Sequence, residues 1–251
     1  MIKTLAEVRF RGIIWKMLID EPGGILAVET RGKDDPGAFF TTINLADGAV
    51  LLADHQISKE WPCGLEAIRN GVLLLHGYES EGSPAHLGLM ALDAAEGTLL
   101  WQNFLWAADA FYDEFLTVFN RKILPWKKQP ADWRSGNILN AEKKGTENST
   151  LKIPVKTAQW PEHLPAPEAA PVGYIDYLRL DEAEILSLHA QNEEGFDQHI
   201  RVYKNSRLMH QDLLMTGIQK LQPEAFVMQQ NRLLYIRNQN ELVIIDIAAG
   251  K

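Results

Sequence analysis

Short runs of aliphatic, aromatic and β-branched residues, bounded by Gly, Pro, Asn or Asp, recur along the chain in groups, as strands do. The first group covers residues 13–20, 25–31, 38–45 and 49–57. The second covers 64–69, 72–78, 87–93 and 98–106, with Asn70-Gly71 between its first two runs, a strong hairpin signal. A fourth group spans 172–180, 184–190, 197–203 and 207–214, and a fifth 224–230, 232–238 and 241–247. Each predicts an antiparallel sheet of hairpin-joined strands, and the fifth ends one strand short. Residues 2–10 form a run with no group of their own, so they are expected to supply that strand from the N-terminus. The third group is irregular. Residues 115–119 and 122–126 read as its first two strands and 150–157 as its third. The segment 158–171 holds Pro161, Pro165, Pro167 and Pro171, so it reads as a loop or an edge, with a domain linker as the alternative. Residues 174–189 are the best competitor for an amphipathic helix and are read as a hairpin.

A phrase recurs on this pattern. An aliphatic residue, then Asn or Asp, three residues and Gly occurs at 43–48, 92–97 and 245–250. Gly48, Gly97 and Gly250 are separated by 49 and 153 residues, the second close to three times the first. The phrase ends a strand at a residue that caps its own turn, and Gly supplies the left-handed position. A period of about 50 residues suits a four-stranded propeller blade. The fullest copy, residues 88–101, resembles the repeat of quinoprotein-type β-propellers through Ala91, Leu92, Asp93, Gly97 and Trp101. The first copy lacks the following Trp. The resemblance implies blade structure and is not specific for the quinone, since many proteins with these blades bind none. The chain is also similar to a small group of uncharacterised propeller-like proteins, which implies no activity. The expectation is an all-β fold: one β-propeller domain over residues 1–251, with about five four-stranded blades, the last completed by the N-terminal strand, and an irregular insertion in the third blade at about 127–171.

Composition narrows the function. The net charge of −8 argues against bulk attraction to duplex nucleic acid or an anionic membrane. No run is apolar enough to span a bilayer, and residues 1–18 lack the apolar core of a signal peptide, so a cytoplasmic location is expected. Asn148-Ser149-Thr150 fits a glycosylation acceptor but is read as chance. One cysteine, Cys63, precludes an internal disulfide framework and reads as a small buried hydrophobe. Dinucleotide, Walker, zincin, esterase-elbow and C-x-x-C motifs are absent from the sequence.

Two stretches carry candidate chemistry. In residues 76–88, His76, Tyr78, Glu79, Glu81, Ser83 and His86 offer polar groups for a pocket, or for a metal held by the two histidines and a carboxylate. The spacing of ten between the histidines matches no metal motif, so the expectation is a solvated hairpin with His76 packed on a strand, and no metal or other cofactor. In residues 121–144 the local charge is +5, leaving −13 for the rest, and Trp126 and Trp133 are interleaved with Arg121, Lys122, Lys127, Lys128, Arg134, Lys143 and Lys144. Basic residues with exposed Trp suit an acidic peptide, a phosphate-bearing ligand or single-stranded nucleic acid. The competing reading folds both Trp rings back onto the sheet. Trp15, Trp61, Trp101, Trp106 and Trp160 are read as packing between blades. Glu66, Asp113, Glu114, Asp176 and Glu224 are inner-strand acids. The leading expectation is a non-enzymatic binding or scaffolding protein that holds an unidentified protein or small-molecule ligand through His76, Tyr78, Glu79, His86, Trp126, Lys127, Lys128, Trp133 and Arg134. The alternatives are a sugar-acting hydrolase using two inner-strand carboxylates and, last, a quinone- or metal-dependent enzyme.

Overall fold

The structure is a computed structural model, and it describes residues 2–32, 37–57, 62–80, 82–140, 149–223 and 225–248. It is all-β: five antiparallel sheets and, among the described residues, no helix. Contacts divide the chain into two compact units, residues 10–149 and residues 1–9 with 150–251. The first strand, β1 (Lys3–Arg9), belongs to the second of these.

Residues 10–149 carry three sheets. The first is β2 (Ile13–Asp20), β3 (Ile25–Arg31), β4 (Ala38–Asn44) and β5 (Val50–His55), each paired with the next. The second repeats the plan with β6 (Cys63–Arg69), β7 (Val72–Tyr78), β8 (His86–Asp93) and β9 (Leu99–Asn103). Asn70 and Gly71, both at positive φ, make the tight turn between β6 and β7. The third sheet is β10 (Trp106–Phe111), β11 (Leu116–Asn120) and β12 (Gln129–Ala131), extended by a single bridge from Ala131 to Ile138. Residues 122–126, expected as a strand, lie instead in the turn between β11 and β12. Leu26, Leu65, Leu73, Leu75, Leu89 and Leu116 are wholly buried in this unit, and its cores run between neighbouring sheets.

The recurring phrase has one geometry and one use here. Gly48 N–H donates to Asn44 O at 2.8 Å and Ala46 N–H to Asn44 Oδ1 at 2.8 Å. Gly97 and Ala95 do the same to Asp93, at 2.8 and 3.0 Å. A further copy, Asp132 to Gly136, stands after β12: Gly136 N–H donates to Asp132 O at 3.0 Å, and Arg134 and Ser135 N–H to Asp132 Oδ1 at 3.1 and 2.8 Å. The residue four beyond each glycine explains the spacing. A Cβ on Gly97 would lie 2.8 Å from Leu52, and a Cβ on Gly136 would lie 2.7 Å from the Trp101 ring. The first sheet therefore seats Leu52 on the bare glycine of the second sheet's turn, and the second seats Trp101 on that of the third. Trp101 Nε1–H completes that contact by donating to Trp133 O at 2.8 Å.

The other unit holds two sheets. Residues 150–157, expected as a strand of the third group, divide at Pro154 into β13 (Leu151–Lys152) and β14 (Val155–Thr157), which join different sheets of this unit. β14 lies at the edge of the sheet completed by β15 (Pro171–Arg179), β16 (Ala183–Gln191), β17 (Phe196–Lys204) and β18 (Arg207–Ile218). Most of the proline-rich 158–171 is the loop it reads as, and 174–189 is a strand hairpin. The last sheet is β13, β19 (Phe226–Gln229), β20 (Arg232–Arg237), β21 (Glu241–Asp246) and β1. The leftover N-terminal strand does complete it: β1 pairs antiparallel with β21, from Lys3 opposite Asp246 to Arg9 opposite Glu241. Arg237 reinforces that edge with an ion pair to Glu7 at 2.7 Å. Gly250, Trp61, Glu81, Asn148, Glu224 and the cluster Glu142, Lys143 and Lys144 lie outside the described residues.

Candidate functional site

The second sheet gathers three donors that are distant along the chain. Glu66 is the extra residue of a bulge in β6, where Leu65 faces Leu75 but Ala67 faces Leu74. A bulge re-aims its side chain, and here it brings the carboxylate to β7. His76 on β7 faces Gly64. That glycine is what the ring needs, since a Cβ there would lie 2.8 Å from His76 Cε1 and Nε2. A second register shift, between β7 and β8, sets His86 opposite Tyr78. The result is a clamp. The two imidazoles stack with centroids 3.5 Å apart and planes 7° from parallel. His76 Nδ1 lies 2.6 Å from Glu66 Oε2, and His86 Nδ1 lies 2.8 Å from the same oxygen. The Tyr78 ring stands edge-on to both histidines.

These contacts are short, but their angles are not those of hydrogen bonds. Glu66 Oε2 and both ring nitrogens of His76 are buried with no hydrogen-bonding partner. The donor atoms of Glu66, His76 and His86 all lie within 4.8 Å of one another, so the three could chelate one metal ion. Burial pushes the Glu66 carboxyl up, but His76, His86 and Lys16 outweigh it and hold it below the ordinary value. Burial, then the neighbouring His76, pulls the His86 imidazole down and favours its neutral form. Beside the clamp, Lys16 Nζ donates to Leu65 O at 2.8 Å, and Glu29 accepts from Leu65 N–H at 2.7 Å. Glu29 also binds Arg31 at 2.7 Å, and Arg31 lies over the Trp15 ring. Trp15 is 63% exposed, so it does not serve as the packing residue its type suggests. Cys63 is buried as read, and burial pushes its thiol up to about 11.

Glu79 connects the clamp's hairpin to the basic stretch, through Arg121 at 3.5 Å and Lys122 at 3.7 Å. The turn after β11 then rises as an apolar crest, with Ile123 61%, Leu124 78% and Trp126 49% exposed. Phe104 and Leu105 are also half exposed, and Leu105 O accepts from Arg121 N–H at 3.1 Å, which sets that turn beside the crest. Trp126 leans on Phe119, with Arg121 over its ring. Lys127 is exposed, and Lys128 pairs with Asp109 at 2.6 Å.

Two of the residues expected at a binding surface are spent on packing. Trp133 is 3% exposed, it stacks near Phe111, and its Nε1–H donates to Tyr112 O at 2.9 Å. It thus presents no ring face to a ligand. Arg134 is exposed but its guanidinium donates to Asp93 at 2.9 Å, tying one phrase turn to the next. Of the acids expected on inner strands, Asp113 and Glu114 lie instead in the turn between β10 and β11, where Asp113 is paired with Arg69 at 2.7 Å, and Glu66 belongs to the clamp. The sequence pattern marks Glu66 only as an inner-strand acid. The bulge that turns it toward His76 leaves no mark in the hydrophobic pattern.

Comparisons with known proteins cover this region in part. A family model described as a domain of unknown function (DUF4905) matches residues 19–101, about a third of the chain, a span that includes Glu66, His76 and His86. No curated protein matches. Among solved structures 31 chains match. One, an oligogalacturonate lyase in complex with manganese, is 10% identical over 97% of this chain and 92% of that chain, at a TM-score of 0.27.

Proposed function

We propose that this chain is a non-enzymatic binding protein that holds an acidic protein partner on the crest at residues 121–128. One observation carries the reading: Ile123, Leu124 and Trp126 stand 61%, 78% and 49% exposed between Lys122 and Lys127-Lys128. Large apolar side chains grouped in water mark interaction sites. An exposed Trp is the kind of anchor such interfaces favour, and the lysines around it favour an acidic partner. The same reading takes the five sheets as blades of a propeller, supported by the shared turn that seats each sheet of residues 10–149 on the next.

The test is a photo-crosslinking residue at Leu124 in cells, followed by affinity measurement with each captured protein. Trp126→Ala with Lys127→Ala and Lys128→Ala is expected to weaken binding at least about 10-fold, as loss of a central aromatic anchor does. Unchanged affinity for every captured partner removes the crest's role.

A further inference from the structure

We infer that Glu66, His76 and His86 bind one divalent first-row transition-metal ion, with zinc as its reference ion. Two independent features point there. The first is convergence: two imidazole nitrogens and a carboxylate oxygen, from three adjacent strands, meet with all donors within 4.8 Å. The second is the state of those atoms. His76 is 4% exposed, yet both its ring nitrogens and Glu66 Oε2 lack a hydrogen-bonding partner. Buried polar groups almost always have partners, and one without is costly. A cation held by one nitrogen from each imidazole and by the carboxylate would give Glu66 Oε2 and one His76 nitrogen a partner.

The donor set selects the ion. Imidazole nitrogen is a poor ligand for calcium and magnesium, which take oxygen, and a good one for zinc and its first-row neighbours. Such an ion sits about 2.0–2.2 Å from each donor, which sets tetrahedral donors roughly 3.4 Å apart, so the 2.6 and 2.8 Å contacts widen by about 0.6–0.8 Å to admit it. The His86 side chain is 39% exposed, against 5% for His76, so it borders the route of entry. Three protein ligands leave coordination positions for water or for a donor atom of a small molecule, the pattern of open rather than purely structural sites. The bulge is shared by β2 and β10, where it carries Trp15 and Asp109; in β6 it carries Glu66, and the bare Gly64 leaves room for the His76 ring.

The proposal runs against the ten-residue spacing of the histidines, which resembles no metal motif. The spacing misleads because the third ligand comes from a different strand. It is independent of the crest, whose residues supply no donor to the clamp.

The experiment uses the full chain, stripped with chelator and titrated calorimetrically with ZnCl₂. Saturable one-to-one binding is expected, uncompeted by excess Mg²⁺. His86→Ala removes a half-exposed ring and is the variant least able to disturb folding. It is expected to weaken Zn²⁺ binding at least about 100-fold, more than outer-shell losses do. Glu66→Gln keeps the shape and is expected to weaken it as well. Co²⁺ substituted for Zn²⁺ reports the ligand set through its visible d–d bands, which His86→Ala is expected to change. Absence of saturable Zn²⁺ binding overturns the proposal, and so does binding that His86→Ala and Glu66→Gln leave unchanged. The triple crest variant is expected to bind Zn²⁺ like the parent, so failure of the two proposals is read separately.

Discussion

Trp126 and Trp133 lie seven residues apart in the same basic stretch, one half exposed at 49% and the other buried at 3%. Local composition does not separate them, since each stands beside cations and within reach of an aromatic ring. What separates them is the turn each occupies. Trp133 lies inside the Asp132-to-Gly136 turn, whose carbonyls and side chain are tied by its own amides. Trp101 of the neighbouring sheet sits on Gly136 and donates to Trp133 O. Residues 121–128 carry no copy of that turn: Arg121 N–H donates to Leu105 O and Lys122 N–H to Asn120 Oδ1 within their own sheet, and the neighbouring hairpin reaches them through the ion pairs of Glu79. The comparison teaches that a charged, aromatic window becomes core or surface according to whether its backbone is captured by the next sheet.

Replacing the two rings tests this most strongly. Trp133→Ala empties a buried site and is expected to cost about 3–5 kcal/mol. Trp126→Ala is expected to cost under about 1 kcal/mol, as a surface change does. Urea unfolding of the two variants measures both. Equal costs would break the comparison.

The glycine beneath Trp101 gives the next largest effect. Gly136 has φ +68, and an added Cβ meets the Trp101 ring at 2.7 Å, so Gly136→Ala adds a clash to backbone strain. An expected loss is about 1–3 kcal/mol. Gly71→Ala is the control: its φ is +71, but nothing lies within 4 Å of the added Cβ. It is expected to cost about 1 kcal/mol, the strain alone. If both cost the same, the seat under Trp101 carries no energy.

These turns also mark how much of the molecule the sequence made legible. Hydrophobic runs located the first, second and fourth sheets, and the fifth short of one strand, because each has runs long enough to alternate. The unclaimed run at residues 2–10 found its place against β21 because a sheet lacking an edge strand is a specific vacancy. The third sheet departs from the pattern of its apolar runs. Residues 122–126 are apolar like a strand yet form the crest, and Pro154 splits 150–157 between two sheets. The Asp132-to-Gly136 phrase was present and could have been found. The period hides it, because Gly136 follows Gly97 by 39 residues rather than about 50, and β12 before it is Gln-Pro-Ala, with no apolar run. At the candidate site His76, Tyr78 and His86 were legible as a dense polar hairpin. Glu66 was not, because a bulge adds one residue without altering the count of apolar positions.

The smallest effect concerns the ion pairs of the two turns, and it sharpens the comparison by pH. Arg134 reaches across to Asp93 of the neighbouring phrase turn at 2.9 Å, and Lys128 near the crest reaches Asp109 at 2.6 Å. Both cations are more than half exposed, so either change to Ala is expected to cost only about 0.2–1 kcal/mol. The carboxylates differ more than the cations do. Partial burial pushes Asp93 up, but the N–H of Ala95, then Arg134 and the N–H of Glu96, outweigh it and hold the carboxyl below its ordinary value. A carboxyl depressed in the folded chain stabilises it above the unfolded value, about pH 3.9, and that contribution fades as pH falls through the lower folded value. Asp93→Asn is therefore expected to destabilise the protein at pH 7 and to shrink its loss of stability between pH 5 and pH 3. Because backbone amides of the turn hold Asp93 ahead of the arginine, Arg134→Ala should leave most of that acid dependence in place. Urea midpoints across this pH range, for parent, Asp93→Asn and Arg134→Ala, measure it. If Arg134→Ala removed the acid dependence as fully as Asp93→Asn, the guanidinium rather than the turn would be what joins these sheets.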